Sequence, residues 1–500
     1  MQAAAAPVRS PRVQAFLSES PLGLFIDGRS RPSAREARFS TIDPGSGAPL
    51  AEVYSGEAED VDAAVAAAAR AFRETAWPRL SPEERGVYLH RLADLAETRK
   101  QTLAEIESLD VGKPFAQALW DVDNFVQTLR YYTGLALHAP RRQPVPLPRI
   151  DARTVRFPWG VCAFIFPWNF PLLLAGWGIS PALAAGNTVV IKPAEDTPLS
   201  TLYLCRLAQE AGIPDGVINV VTGFGETAGA ALARHPDIAR MSFTGSPEVG
   251  KLVAVACARN LVPAKLELGG KGAAVVFEDV DVEQTADALT RAVTLNCGQV
   301  CCTATRWIVQ ESIYDYFVEH AVHRMGRVHP GYWNDPLAEM GPLISQKQMD
   351  RVLGYLNKGR EQGAELPLEG GATEVVGYED GFWVRPALLA GSPENVACRE
   401  EIFGPVAYLL KFRTEEEAVA LVNQSAYGLA NSVWTQDLAR ANRVAEAMVA
   451  GNSWINAHNI FAHGLPYCGV KLSGTGGGVL GPETLYDYLR PQSIARPCPA

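Results

Sequence analysis

Thiols crowd one short stretch of the sequence, Asn296-Cys297-Gly298-Gln299-Val300-Cys301-Cys302-Thr303, which closes with Arg306. The segment before it, from about Val282, carries Ala286, Leu289, Ala292 and Val293 at helical spacing, and the strand-like run Trp307-Ile308-Val309 follows. A cysteine on a Gly- and Gln-containing loop between helix and strand is both reachable and rigidly held. That suits a nucleophile acting as its thiolate. Metal ligation by Cys297, Cys301 and Cys302 is the rival reading, but no CxxC pair and no nearby histidine supports it, so no metal site is expected.

Other polar groups sit where strands are predicted to end. Lys192-Pro193-Ala194-Glu195 offers a lysine and a carboxylate able to grip the hydroxyls of a ribose, or to form only a surface pair. Gly223-x-Gly225-x3-Gly229 resembles a dinucleotide fingerprint with one residue too many before its third glycine, and a plain strand-to-helix turn reads equally well. Phe243-Thr244-Gly245-Ser246 supplies backbone N–H groups and a hydroxyl suited to phosphate, or an ordinary helix cap with Glu248 nearby. Glu267-Leu268-Gly269-Gly270-Lys271 sets a carboxylate before two glycines that let another backbone or a ligand approach. In Phe166-Pro167-Trp168-Asn169-Phe170-Pro171 a lone amide stands in an apolar, proline-stiffened turn, where burial is costly without a partner or a task.

The elements that must position these groups alternate. Strand-like runs at Val161–Phe166, Thr188–Ile191, Val217–Val221, Met241–Phe243 and Ala274–Phe277 are separated by helical runs at Leu172–Ala185, Ser200–Ala211, Thr227–Arg234 and Val249–Asn260. Repeated β-α-β at this spacing predicts a parallel, doubly wound sheet with helices on both faces and ligands at the carboxyl ends of its strands. After 281 the alternation restarts, with helices over 312–325, 345–362, 415–423 and 438–450 and strands over 383–389 and 430–435, which predicts a second α/β domain. Upstream, Ile26-Asp27-Gly28 and Asp43-Pro44-Gly45 mark a hairpin-like lead-in. Ser81-Pro82-Glu83-Glu84 is a capped start for a helix running to about Leu109. Residues 139–158, rich in Pro and Arg, and Tyr488–Ile494 read as extended.

Bulk properties narrow the function. A chain of 500 residues exceeds one ordinary core, and 47% hydrophobic with 20% charged residues is a globular composition. A net charge of −10 without a basic run excludes nucleic acid as the main partner. Nine cysteines at irregular spacing form no disulfide framework and suit a reducing cytosol, so a cytoplasmic location is expected. Val161–Ile191 lacks charge, yet Pro167, Pro171, Pro181, Gly176, Gly178 and Gly186 would break it in lipid, so no membrane span is expected. The first 18 residues, Ala-rich with Arg9 and Arg12, read as a frayed tail rather than a transit peptide.

Taken in order, the Phe166–Pro171, Lys192–Glu195, Phe243–Ser246, Glu267–Lys271 and Gly298–Cys301 motifs, with Glu400-Glu401-Ile402-Phe403-Gly404-Pro405-Val406, resemble the NAD(P)-dependent aldehyde dehydrogenase superfamily over about residues 20 to 495. The resemblance implies that Cys301, two residues after Gln299, is the nucleophile, and that Cys302 is a packing residue. Asn169 and the Cys301 N–H would hold the oxyanion, and Glu267 would activate the water that releases the acid. It further implies cofactor contacts at Ile165, Trp168, Lys192, Glu195, Gly225, Ser246, Gln348, Glu401 and Phe403. Glu195 would favour NAD over NADP. Substrate contacts would fall to Phe170, Leu174, Trp177, Val300, Cys302, Phe461 and Leu465, nearly all apolar, so a hydrophobic or aromatic aldehyde is expected. His458 and His463 would serve a polar end.

The family pattern also implies a layout: an NAD-binding domain from 20–138 and 160–280, a catalytic domain over 281–484, and a small β oligomerisation element from 139–159 and 485–500 that makes a homodimer or homotetramer. The chain departs from many relatives at two positions, where Gly178 and Gly478 stand in place of a lysine and a glutamate proposed in some of them to relay protons. Either Glu267 works with water alone, or another group substitutes, or glycine is merely tolerated. Rival functions are a CoA-acylating dehydrogenase, which generally lacks the Glu267 base, a thiol esterase without net redox, and a silent binding scaffold.

Overall fold

Strands covered on both faces read as unbroken apolar runs, and Val161–Ile165, Thr188–Lys192 and Gly272–Val276 are buried at every position. The structure is a computed structural model describing residues 9–498, and it sorts these strands into two large sheets. The first has the order Arg29–Arg31, Leu24–Ile26, Ile218–Val220, Thr188–Lys192, Val161–Ile165, Arg240–Thr244, Ala264–Glu267, Gly474–Thr475. From Ile218–Val220 to Ala264–Glu267 its strands run parallel. The winding reverses between Val161–Ile165 and Arg240–Thr244, so the turns after these two strands flank one crevice.

The second sheet has the order Glu365–Leu368, Ala387–Ala390, Val406–Phe412, Ala304–Gln310, Gly272–Val276, Ala430–Trp434, Asn452–Ile455. It is parallel except at its Glu365–Leu368 edge. The α/β class with two wound parallel sheets is as expected. The membership of individual strands is not. The strand expected at Ala274–Phe277, grouped by the sequence with the 160–280 segment, lies as Gly272–Val276 inside the second sheet, and Gly474–Thr475, from the 281–484 segment, pairs antiparallel with Ala264–Glu267 in the first. The chain changes sheet at Gly269-Gly270, where backbones touch. A Cβ on Gly269 would lie 2.2 Å from Glu401 Oε2, and one on Gly270 would lie 2.3 Å from the Cys301 carbonyl oxygen. Periodicity reports that a strand is buried, not which sheet buries it.

The capping box predicted at Ser81 forms: Glu84 N donates to Ser81 Oγ, and Ser81 N donates to Glu84 Oε2 at 2.7 Å. Its helix does not reach Leu109 unbroken. It ends at Thr98, whose hydroxyl bonds back to the Asp94 carbonyl at 2.7 Å, and a second helix, Lys100–Val111, turns inward with Thr102 to Val111 all buried. The frayed-tail reading is corrected as well. Residues Pro11–Ser18 form a helix that buries Val13, Phe16 and Leu17, with Phe16 edge-on to Tyr203 at 5.3 Å, because these apolar residues share one helical face. The rest of that expectation, residues 1–8, lies outside the described residues.

The Val161–Ile191 stretch resolves into strand, buried helix Pro171–Ala185 and strand, and no helix among the described residues is long and apolar enough to cross a membrane. Leu489–Pro497 pairs antiparallel with Ile150–Pro158, which pairs with Arg142–Leu147. The two segments distant in sequence thus build one small sheet, whose edge strand Arg142–Leu147 is exposed throughout.

Candidate active site

The cysteine loop is pinned from several sides. Helix Val282–Thr294 starts at Asp281, whose side chain accepts from Gln284 N, and buries Ala286, Leu289 and Val293. Beyond it Asn296 (φ 47°), Cys297 (φ 54°) and Gly298 (φ 70°) are left-handed, a conformation that costs a non-glycine residue of order 1 kcal/mol and persists only when its surroundings hold it. Here Asn296 N donates to Gln117 Oε1 at 3.1 Å, Asn296 Nδ2 to the Asn169 carbonyl at 2.9 Å, and Ile344 N to Gln299 Oε1 at 2.9 Å. Cys297 and Cys302 are fully buried, and Cys301 alone of the three is half-buried. Geometry therefore selects the thiol that the residues alone left undecided.

The loop precedes strand Ala304–Gln310, so it stands at the amino end of the second sheet and meets the carboxyl ends of the first. The cleft at this loop thus borders the carboxyl ends of one sheet and the amino ends of the other. Cys301 Sγ lies 3.4 Å from the Tyr467 hydroxyl, a residue the sequence reading missed. Hydrogen bonding from Cys302, and then from Tyr467, holds the Cys301 thiol below its ordinary range against the opposing effect of burial. Cys302 has one proton and two acceptors, the Cys301 sulfur and Asn459 Oδ1 at 3.4 Å, and burial pushes its own thiol up.

Asn169 is 4% exposed. Its Nδ2 donates to the Gln299 carbonyl at 3.0 Å, and its Oδ1 is buried without a partner. Behind it Lys113 Nζ donates to the Asn169 carbonyl at 3.1 Å, pairs with Asp121 at 2.5 Å and sits 4.1 Å from the Phe170 ring centre. This buried lysine carried no sequence signal. Glu267 ends strand Ala264–Glu267 with both carboxylate oxygens buried and unpartnered. Burial pushes it well above the usual carboxylate range, with Lys265 opposing and Cys301 adding to the rise.

A cleft of about 1730 Å³ brings together Trp168, Asn169, Phe170, Leu174, Trp177, Glu195, Ser246, Val300, Cys301, Cys302, Gln348, Glu401, Phe403 and Phe461. Among the expected site residues, Ile165, Lys192, Gly225, Glu267 and Leu465 do not line it. Lys192 is buried and pairs with Glu195 at 2.6 Å. Gly225 is exposed at the start of a helical turn, with open space where a Cβ would stand. Leu465 is 48% exposed, on a late loop whose path periodicity does not encode. Ser246 caps helix Pro247–Ala258 by accepting from Val249 N, so its cap role and its place in the cleft coexist. Gln348 Nε2 donates to the Phe403 carbonyl at 2.7 Å, steadying Phe403 at φ 63° with its ring edge-on to Trp168 at 5.3 Å. Glu401 accepts from Gly270 N at 2.8 Å, and burial pushes its carboxyl up to about 7.

On the other side of Cys301 the walls are aromatic. Phe461 lies 5.5 Å from Trp177 and 5.7 Å from Tyr467, and Trp177 Nε1 donates to Asn124 Oδ1 at 2.7 Å, which fixes the indole. His458 does not offer a polar end to a ligand. Its ring nitrogens are engaged by Ser432 Oγ at 2.9 Å and the Cys302 carbonyl at 2.8 Å, and burial lowers its proton affinity to about 4. His463 is engaged at one ring nitrogen only, its Nε2 lying 2.9 Å from Thr128 Oγ1.

Neither glycine departure leaves room for a side chain. A Cβ on Gly178 would lie 2.8 Å from Phe166 Cζ and 3.0 Å from Phe164 Cδ1, and one on Gly478 would lie 2.6 Å from the Tyr467 carbonyl oxygen. A side chain at Gly178 would therefore have to displace the Phe166 ring, and one at Gly478 would have to move backbone.

Comparison with known proteins agrees with this architecture. The profile of the Aldehyde dehydrogenase family matches residues 31–494. Mitochondrial aldehyde dehydrogenase of Homo sapiens is 40% identical over 498 residues, covering 99% of this chain and 94% of that protein. Mitochondrial benzaldehyde dehydrogenase of Antirrhinum majus is 41% identical over 479 residues, 94% of this chain and 88% of that one. The NAD+ complex of aldehyde dehydrogenase from Bacillus cereus superposes with a TM-score of 0.95 at 38% identity, over 98% of this chain and 99% of the other. With its thiol loop, its paired sheets and these relatives in accord over nearly the whole length, the chain belongs to the aldehyde dehydrogenase family.

Proposed function

We propose that the protein oxidises a hydrophobic or aromatic aldehyde to its carboxylic acid, with NAD as oxidant and an acyl-thioester on Cys301 as intermediate. The most direct support is the half-buried Cys301 thiol, lowered in proton affinity and set between an aromatic pocket and a long polar cleft. The residues fit a dinucleotide: the Lys192–Glu195 pair stands at a strand's carboxyl end, and Glu195, Ser246, Trp168, Phe403 and Cys301 line one cleft. NAD, when bound, supplies the electron acceptor for the substrate carbon. The Glu195 carboxylate would repel a 2′-phosphate, which favours NAD over NADP.

The Cys301 thiolate adds to the carbonyl carbon, and the oxygen of the resulting thiohemiacetal takes up negative charge. The Asn169 amide and the Cys301 backbone N–H are assigned to that oxygen, a contribution of about 3–4 kcal/mol per donor in comparable sites. After oxidation, Glu267 takes a proton from water as the water oxygen bonds to the thioester carbon. The C–S bond breaks, and Cys301 leaves as thiolate. Trp177, Phe461 and Tyr467 form an aromatic box that suits an apolar or aromatic substrate.

The small sheet of Arg142–Leu147, Ile150–Pro158 and Leu489–Pro497 is assigned to self-association as a homodimer or homotetramer, because its edge strand exposes Val145 and Leu147, with Ile150 of the central strand exposed beside them. A cytoplasmic location fits free cysteines that include the exposed Cys498. The test is NADH formation across aliphatic, aromatic and charged aldehydes, with and without CoA, beside Cys301→Ala. Turnover of apolar aldehydes without CoA, abolished in the variant, is expected. An absolute CoA requirement would assign the enzyme to the acylating class instead.

A further inference from the structure

Lys265 is a buried cation that the chemistry above leaves unused. It is fully buried on strand Ala264–Glu267, two residues before Glu267, and that spacing puts both side chains on one face of the strand. Its Nζ donates to the Gly478 carbonyl at 3.1 Å and sits 5.1 Å from the Tyr488 ring centre, and this is its one side-chain hydrogen bond among the described residues. The nearby Asp487 is engaged by Arg240 at 3.7 Å. A buried ammonium ordinarily needs a negative partner, and a buried carboxylate a positive one. Both oxygens of Glu267 are buried without a partner, and Lys265 is the cation that acts on it, although Asp487 is the stronger of the two carboxylates acting on the lysine.

The sheet register explains the arrangement. Lys265 aligns with Ser242, and Ser242 with Phe164, so Lys265 shares the face that carries the Phe164 ring. That layer is filled by Phe164, Phe166 and Tyr488 and closed at Gly178, and the side-chain-free Gly478 turns its carbonyl to the lysine.

We propose that Lys265 is a positioning residue for Glu267, its buried ammonium supplying positive charge on the same strand face that favours the carboxylate form as it takes a proton from the deacylating water. The inference rests on Glu267 being the general base. Charged groups facing Lys265 or titrating beside it are Asp487, Arg240, Glu267, Cys162 and Tyr488. Those beside Glu267 are Lys265, Cys301 and Cys468. Burial lowers the Lys265 ammonium to about 8 while raising Glu267, and each opposes the other's shift. Removing the lysine charge thus leaves Glu267 protonated to higher pH.

The test isolates deacylation without NAD. Hydrolysis of 4-nitrophenyl acetate gives a burst of nitrophenolate as Cys301 is acetylated, then a steady phase set by thioester hydrolysis. Lys265→Met removes charge and hydrogen bond, whereas Lys265→Gln removes the charge and keeps a donor for the Gly478 carbonyl. Both are expected to move the acid limb of the steady phase up by about one pH unit or more, with the burst amplitude retained. Lys265→Arg, charged at every pH, is expected to keep the wild-type limb. A wild-type limb in the folded Met or Gln variant overturns the proposal, whatever the absolute rate. So does a limb displaced by a unit in Lys265→Arg, which covers the case where the uncharged variants do not fold. Glu267→Gln run alongside separates the two readings: a steady phase that persists with its acid limb removes Glu267 as base, independently of Lys265.

Discussion

Cys301 is one of nine cysteines, and what distinguishes it is its surroundings. Cys162, Cys205 and Cys297 are fully buried, and desolvation raises each of them. Only Cys301 combines access to the cleft with hydrogen bonds that stabilise its thiolate. Because the leading cause is the bond from Cys302, Cys302→Ala should raise the Cys301 proton affinity. The pH profile of inactivation by iodoacetamide is then expected to shift to higher pH, with Cys301 still the modified residue by peptide mapping. Asn169→Ala removes an assigned oxyanion donor and also frees the Gln299 carbonyl. A fall of about 10²–10³-fold in the rate of acyl-enzyme formation is expected in rapid-mixing experiments, with little change in NAD affinity.

The element that matters most is the turn between helix Val282–Thr294 and strand Ala304–Gln310. Its left-handed Asn296 is held by Gln117 and Asn169, and the adjoining Gln299 by Ile344, which come from three separate parts of the chain. Gly298 is the tightest point: its φ is +70°, and a Cβ would stand 2.2 Å from the Gly404 carbonyl carbon. Gly298→Ala should therefore cost about 1–3 kcal/mol from backbone strain alone, measured by urea unfolding, and should lower NADH formation more than it lowers stability. A smaller effect on activity than on stability would mean that the turn is not what aims Cys301.

At the scale of the whole molecule, the site exists because the carboxyl ends of one parallel sheet are set against the amino ends of another, joined through Gly269-Gly270. The small antiparallel sheet stands apart from this chemistry and presents Ile150, 41% exposed, beside the exposed Arg142–Leu147 edge. Ile150→Arg is expected to lower the assembly size in sedimentation while leaving the circular dichroism of the subunit intact. An unchanged sedimentation coefficient would remove this sheet from the assembly surface.

The linear sequence by itself determined the local elements and the residue types of the site. The Ser81 cap and the buried runs at Val161–Ile165 and Thr188–Lys192 follow from composition and order along the chain, because capping and burial are short-range properties, whereas the choice of Cys301, Glu267 and Asn169 rested on the resemblance of the motifs to a family. Tertiary structure alone decided that Gly272–Val276 belongs to the second sheet, that Leu465 faces away from the cleft while Tyr467 reaches Cys301, and that His458 is spent on Ser432 and Cys302. Lys265 lies between the two cases. Its place two residues before Glu267 is written in the sequence, but its neighbours come from residues 162, 240, 478 and 487–488. Which charges share a low-dielectric layer is settled by packing between distant segments, and no local pattern encodes it.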